Sequence, residues 1–207
     1  MNWWKCANGL LKWGGWSDQM GYILLGGLAF LVAFFFDLAA LKGIAYLKQA
    51  IGLVFTSLFG FALLMVCLKA ERFSLPYWLS WVGWPLLIIS ACLLVYSIFL
   101  EIPFKQTYAT DGVGDQLVKT GTYALVRHPG VLWFGLSLLA LMGVSRSKLL
   151  LIAAPLWFLL DVLWVWIQER FYFSRMFPGY EQYKQETPML IPTRESIVKC
   201  VKTLRKG

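Results

Sequence analysis

The sequence predicts an all-α integral membrane helical bundle of about five transmembrane helices with a cytoplasmic C-terminal helical tail, and three observations carry that expectation. Of its 207 residues 59% are hydrophobic and only 14% charged, with a mean hydropathy of +0.64, whereas a soluble domain carries about 25% charged residues. The apolar residues gather in runs that approach or reach the roughly 17 to 25 residues needed to cross a hydrocarbon core as helix. The basic residues are divided unequally between the loops that those runs define. Together the runs take up most of the chain, so residues 1–207 read as a single membrane domain.

The first twenty residues set Lys5, Lys12 and Asp18 among Trp3, Trp4, Trp13 and Trp16. They lack the apolar centre and small-residue cleavage site of a signal peptide, so they are read as part of the mature chain. The tryptophans suit the headgroup belt, where an amphipathic indole is stable. The apolar runs then fall at 21–41, 51–68, 77–100, 131–144 and 149–167. The fourth is the shortest and is joined to the fifth through 145–148, which predicts an antiparallel helical hairpin.

With five crossings, one side of the membrane holds the loops near 42–50 and 101–130 and everything after 167, and with them thirteen of the nineteen Lys and Arg residues. The excess of cations on the inner side places the N-terminus outside and the C-terminus in the cytoplasm. The membrane is expected to be a bacterial inner membrane or an endomembrane. A net charge of +8 fits an anionic leaflet better than nucleic acid, because the cations flank apolar helices and form no nucleic-acid module. In the basic tail, 193–207, Ile197, Val201 and Leu204 recur at helical spacing among Arg194, Lys199, Lys202, Arg205 and Lys206. That pattern reads as a helix on the membrane surface, the alternative being a solvated tail. Cys6, Cys67, Cys92 and Cys200 form no CxxC pair, and His128 is the single histidine. The cysteines are read as small hydrophobes, and no metal site is expected.

Polar residues concentrate in 105–130 and 168–194, which bracket the fourth and fifth runs, and a site is expected where these two segments meet. Pro129 suits the first position of a helix, where it needs no amide partner. That puts Arg127 and His128 at the end of a helix whose dipole disfavours cations. Two anions would offset the charge: a ligand carboxylate or phosphate held by helix amides and guanidinium, or lipid phosphates reached by a snorkelling arginine. In the second segment Glu169 stands beside Arg170 at the water boundary, either as a solvated carboxylate or as a site acid. Tyr172, Tyr180 and Tyr183 offer rings with polar ends. Asp161 is an acid inside the fifth run, with Gln168 seven residues on and on nearly the same helical face. An acid in that position is costly and faces a cavity or a partner, so Asp161 is a secondary candidate at the lipid-side opening.

In these two segments the chain resembles the isoprenylcysteine carboxyl methyltransferase-like and phospholipid methyltransferase group of membrane enzymes. LVKTGTYALVRHPGVLW, 117–133, follows that group's LVxxGxYxxxRHPxYxG pattern. QERFYFSRMFPGYEQYKQETPMLIP, 168–192, follows its EExxxxxxFxxxYxxYxxxTPxxIP pattern. The resemblance implies S-adenosylmethionine as cofactor in a cytoplasmic pocket roofed by the tail. It implies a lipophilic small-molecule or lipid acceptor (an isoprenylcysteine-like carboxylate, a lipid amine or a thiol) reaching the methyl group from the bilayer. It assigns Tyr123, Arg127, His128 and Pro129 to the cofactor side, Glu169 and Tyr183 to the closing wall, and Val118 and Gly121 to the neighbourhood of the adenosine. Arg127 and Glu169 would be the residues on which catalysis rests. Arg127 would hold a carboxylate and His128 the amino-acid end of the cofactor, while Glu169 would bind an ammonium or accept a proton from the acceptor.

Three of the departures from the pattern bear on the site: Val131 replaces the usual Tyr, Trp133 a Gly, and Gln168 the first Glu of a pair. These departures reshape the acceptor side and leave Glu169 as the single carboxylate of that pair. Two other readings remain. One is an NADPH-dependent sterol-reductase-like oxidoreductase, whose pattern has Asn after the RHP triplet where this chain has Gly130. The other is a non-catalytic membrane relative.

Overall fold

A computed structural model describes residues 3–44, 46–103, 107 and 116–204, with side chains from Gln19 onward. Helix α1 (Trp3–Lys42) stops at Gly43, whose φ of 60° is the left-handed conformation that ends helices. α2 (Leu47–Lys69) returns along it, and this pair makes the most extensive contact between elements. α3 (Tyr77–Val95) runs on through a π-turn at Tyr96–Leu100. The short α4 (Thr122–Leu125) precedes α5 (Pro129–Ser145), which starts on its proline as expected and stops at Arg146 in the left-handed region. α6 (Leu150–Ile167) continues through a second π-turn, Gln168–Tyr172, into α7 (Phe173–Met176); α8 (Tyr180–Glu186) and α9 (Arg194–Leu204) complete the tail.

Among the described residues, four stretches are long and apolar enough to cross a membrane: Gln19–Lys42, Leu47–Lys69, Tyr77–Leu100 and Leu150–Met176. α5 is the fifth apolar helix, and its 17 residues span about 25 Å at 1.5 Å per residue, less than a core of about 30 Å. The expected bundle is therefore present, with α5 and α6 as the expected hairpin. The side chains of Trp3, Trp4, Cys6, Trp13 and Trp16, residues 104–106 and 108–115 of the first polar segment and its approach, and Arg205 and Lys206 lie outside the described residues.

The bundle is held by aromatic packing. Phe30, Phe59, Phe134 and Trp157 meet edge to face or tilted with centroids 5.0–6.2 Å apart. Trp157 is completely buried and donates its indole N–H to the Ile23 carbonyl at 3.1 Å. Its ring occupies the space above Gly26, where a Cβ would come within 2.5 Å of it. A glycine there lets α1 and α6 approach as closely as packing in a lipid solvent requires. Leu24, Leu31, Leu53 and Trp81 instead point outward, each more than half exposed, as apolar side chains do when the surrounding medium is hydrocarbon. At the end of the bundle where α5 turns into α6, Ser147 Oγ donates to the Val66 carbonyl at 2.7 Å, and backbone bonds join Phe73 to Arg146 and Lys148 to Glu71. The start of α5 and the end of α6 lie together at the opposite end.

Candidate functional site

Between α4 and α5 the backbone at Val126 is extended, which a residue before the RHP turn can adopt and a helix cannot. Arg127 N–H donates to the Pro188 carbonyl at 2.9 Å and His128 N–H to that of Met189 at 3.3 Å. The segment after α8 is thereby laid along the residues that start α5. The two polar stretches that the sequence singles out are in direct contact here.

Glu169 is the centre of this contact. The Arg127 guanidinium grips it in fork geometry, Nε to Oε1 at 2.7 Å and Nη2 to Oε2 at 3.0 Å. His128 Nε2 and the Tyr180 hydroxyl add bonds to Oε1 at 2.9 and 3.0 Å. Arg127 Nη1 donates to the carbonyls of Lys184 and Thr187. Side chains of Arg127 and Glu169 are only 9% and 10% exposed. Tyr183, almost fully buried, donates its hydroxyl to the Tyr123 carbonyl at 2.6 Å, and Lys119 Nζ lies 5.8 Å from the centre of its ring. The counter-charge that stabilises Arg127 at the start of α5 is thus a carboxylate of the protein itself.

Burial opposes the charge of Arg127, but the bond to Glu169 and its field outweigh burial and hold the guanidinium above its usual range. Burial wins at His128 and pulls the imidazole below its usual range, against the bond and charge of Glu169 and with the help of Arg127. His128 is therefore a neutral ring donating Nε2–H, although its distance to Glu169 is that of an ion pair: Arg127 already balances that carboxylate. Burial also raises the Tyr180 hydroxyl, and the adjacent Glu169 charge adds to the effect, so Tyr180 remains a donor. The ring of His128 stacks on Phe173 at 5.8 Å and 18°.

A second network adjoins the first. Glu101, just past the π-turn of α3, accepts from the Thr122 amide at 2.8 Å and from the Thr122 hydroxyl. Thr122 Oγ1 lies 2.9 Å from Ser97 Oγ, which accepts the Trp133 indole N–H at 3.0 Å. An indole only donates and the Thr122 proton goes to Glu101, so Ser97 donates to Thr122 and the chain is directed from Trp133 to Glu101. Burial raises Glu101 above the usual carboxylate range, against the pull of its bonds to Thr122. Gly121 lies against this carboxylate with φ 59°, and its N–H donates to Thr203 Oγ1 on α9 at 3.0 Å.

Of the residues that the sequence points to, Arg127, His128 and Glu169 form the Glu169 network, Tyr183 adjoins it through the Tyr180 ring, and Gly121 and Tyr123, whose hydroxyl donates to the Ser97 carbonyl at 3.3 Å, lie on the Glu101 side. Pro129 is the buried first residue of α5, and Val118 is half-buried in the irregular stretch 116–119. Asp161 is half-buried on α6 and belongs to neither network. The departures have structural roles. Trp133 feeds the Glu101 chain, Val131 is buried in α5, and Gln168 Nε2 donates to both oxygens of Asp37 on α1 at 3.1 and 2.9 Å. Trp164 Nε1 adds a third bond to Asp37 at 3.1 Å. Sequence reasoning passed over Asp37 and Glu101. The available signal was an acid inside or at the end of an apolar run.

A family model described as Protein of unknown function (DUF1295) matches residues 37–187, a range that opens at Asp37 and closes at Thr187. Comparison with curated proteins and with solved structures gives no match.

Proposed function

The chain belongs to the family described as Protein of unknown function (DUF1295), and from that starting point we propose that it is an S-adenosylmethionine-dependent methyltransferase acting on a lipophilic or membrane-accessible acceptor. The observation that carries this reading is the unused bonding capacity at the Arg127–Glu169 pair. A guanidinium has five N–H bonds, and among the described residues four of them have acceptors: the two oxygens of Glu169 and the carbonyls of Lys184 and Thr187. The fifth is on Nη2. Glu169 Oε1 takes three donors, whereas Oε2 takes Nη2 alone. A donor and an acceptor thus remain on atoms 3.0 Å apart, which complements the carboxylate and ammonium of an amino acid. Among the described residues the buried Thr187 Oγ1 also has no hydrogen-bond partner. This donor set fits the methionine end of the cofactor.

S-adenosylmethionine, when bound, supplies an electrophilic methyl group on a sulfonium that is already a good leaving group. The residues have only to hold, align and keep water out. In this reading Arg127 Nη2 takes a carboxylate and Glu169 Oε2 an ammonium. His128 and Tyr180 fix the carboxylate by filling Oε1, which makes Glu169 a binding group rather than a proton acceptor. Tyr123 and Tyr183 join the two walls through their 2.6 Å bond, with Val118, Gly121 and Pro129 shaping the side toward α4 and α5. The acceptor enters from the bilayer beside Trp133. The tail lies in the cytoplasm, following the excess of cations on that side.

Two measurements test this. The purified protein should bind S-adenosylmethionine saturably and NADPH not at all, and it should transfer a radiolabelled methyl group to a component of native membrane extract. NADPH binding in place of S-adenosylmethionine would favour the reductase reading. Binding of neither, in detergent and in lipid, would favour the non-catalytic one.

A further inference from the structure

We propose that α9 is a docking surface for the anionic phospholipid leaflet next to the bundle, and that docking holds it as a clamp on the 117–125 segment. The helix presents three distinct faces at about 100° per residue. Ser196, Cys200 and Thr203 share one face; Ser196 and Cys200 are buried, and Thr203 accepts the Gly121 N–H at 3.0 Å. Ile197, Val198, Val201 and Leu204 form the second, each 45–52% exposed. Glu195, Lys199 and Lys202 form the third. Lys199 is tied to Glu186 at 3.1 Å, which fixes the helix on α8.

The apolar face stands about half exposed among the described residues, and its occupant follows from charge and place. Residues 193–207 hold Arg194, Lys199, Lys202, Arg205 and Lys206 against Glu195 alone, so the complementary partner is anionic. Val198 stands on the open surface of α9 beside Arg194, Glu195, Lys199, Lys202 and Thr203, so cations and an aliphatic side chain stand together as a phosphate headgroup and its glycerol would require. α9 packs on α4, directly before the membrane helix α5, so a leaflet lies at this end of the bundle. Exposed Ile191 (82%) precedes the helix and gives the surface a further apolar contact. An amphipathic helix with this arrangement lies in the interface plane, and each basic residue near an anionic surface strengthens attachment about fivefold.

Hydrogen exchange of the full chain tests the proposal without reference to methyl transfer, so it stands or falls separately from the enzymatic reading. The protein is placed in nanodiscs of phosphatidylcholine alone and of phosphatidylcholine mixed with phosphatidylglycerol. The amides of 194–204 and of 117–125 should exchange on the order of tenfold more slowly in the anionic discs. Val201→Asp and Leu204→Asp should abolish that difference while exchange in α1, α2 and α6 stays unchanged, which shows that the bundle is folded. Lys202→Glu should reduce it. Equal exchange in the two lipids would overturn the proposal, as would protection that grows with the number of protein copies per disc, the mark of a second chain on that face.

Discussion

Arg127 holds Glu169 through two parallel bonds of 2.7 and 3.0 Å across 42 positions of sequence, and both side chains are almost wholly removed from solvent. The start of α5 and the end of α6 are thereby locked to each other and to the tail.

Breaking this pair from one side leaves a buried charge without compensation, which costs about 3–5 kcal/mol. Arg127→Ala and Glu169→Ala should each lower the unfolding temperature and remove S-adenosylmethionine binding. Arg127→Met combined with Glu169→Leu should recover stability relative to either single alanine variant without recovering binding. Thermal unfolding and titration calorimetry on the same preparations separate the two effects, and a double variant that binds the cofactor normally would sink the assignment.

The neutral imidazole of His128 makes stability pH-dependent. Its folded-state value lies below the unfolded one of about 6.5 because burial disfavours the cation. The unfolded chain therefore binds the proton more readily. The contribution is complete above about pH 6.5 and is lost as pH falls toward the lowered folded-state value. His128→Gln should flatten the acid side of a plot of unfolding temperature against pH from 8 to 5. An unchanged slope in that variant would assign the effect to other groups.

Gln168 is an amide because Asp37 faces it. Gln168→Glu would set two carboxylates within about 3 Å of each other, and like charges at that distance destabilise strongly. The variant should be poorly folded, or stable only at acid pH. Adding Asp37→Asn should restore it, since the roles of donor and acceptor are then exchanged. Failure of the double variant to regain stability would show that the Asp37–Gln168 contact is not what selects the amide.

Gly121 combines a positive φ with a neighbour that leaves no room: a Cβ would lie 1.7 Å from Glu101 Oε1. Gly121→Ala should cost several kcal/mol, of which about 1–3 is the positive-φ backbone and the rest displacement of the carboxylate from Thr122. In a Glu101→Ala background the same change should cost only the backbone part. Denaturant titration of the four proteins gives the coupling, and additive costs would contradict the contact.

Much of the architecture was legible because hydrocarbon imposes it. A run such as 77–100 needs about thirty ångströms of apolar helix and has no other stable use. Pro129 and the Arg127–His128 pair marked the start of α5, and Glu169 stands in the π-turn that follows α6. Asp37 and Glu101 were not legible as site residues: each stands where an apolar run nears its end, and which group meets it depends on helix rotation that no spacing rule supplies. The same holds for the bond between Arg127 and Glu169. Sequence logic asked for an anion at the start of α5, and only the packed chain selects which one.

The π-turn at Gln168–Tyr172 holds one residue more than the α-turn it replaces, and it lets two successive side chains serve different partners, Gln168 facing α1 and Glu169 facing α5. Deleting one residue among Arg170, Phe171 and Tyr172 would close the turn to α-helical width and leave Gln168 and Glu169 in place on α6. Deleting Gln168 would instead bring Ile167 beside Glu169 and remove both of the amide's bonds to Asp37. Length at this joint therefore matters residue by residue: the wide turn can give up a position after Glu169, but neither of the two polar side chains that open it.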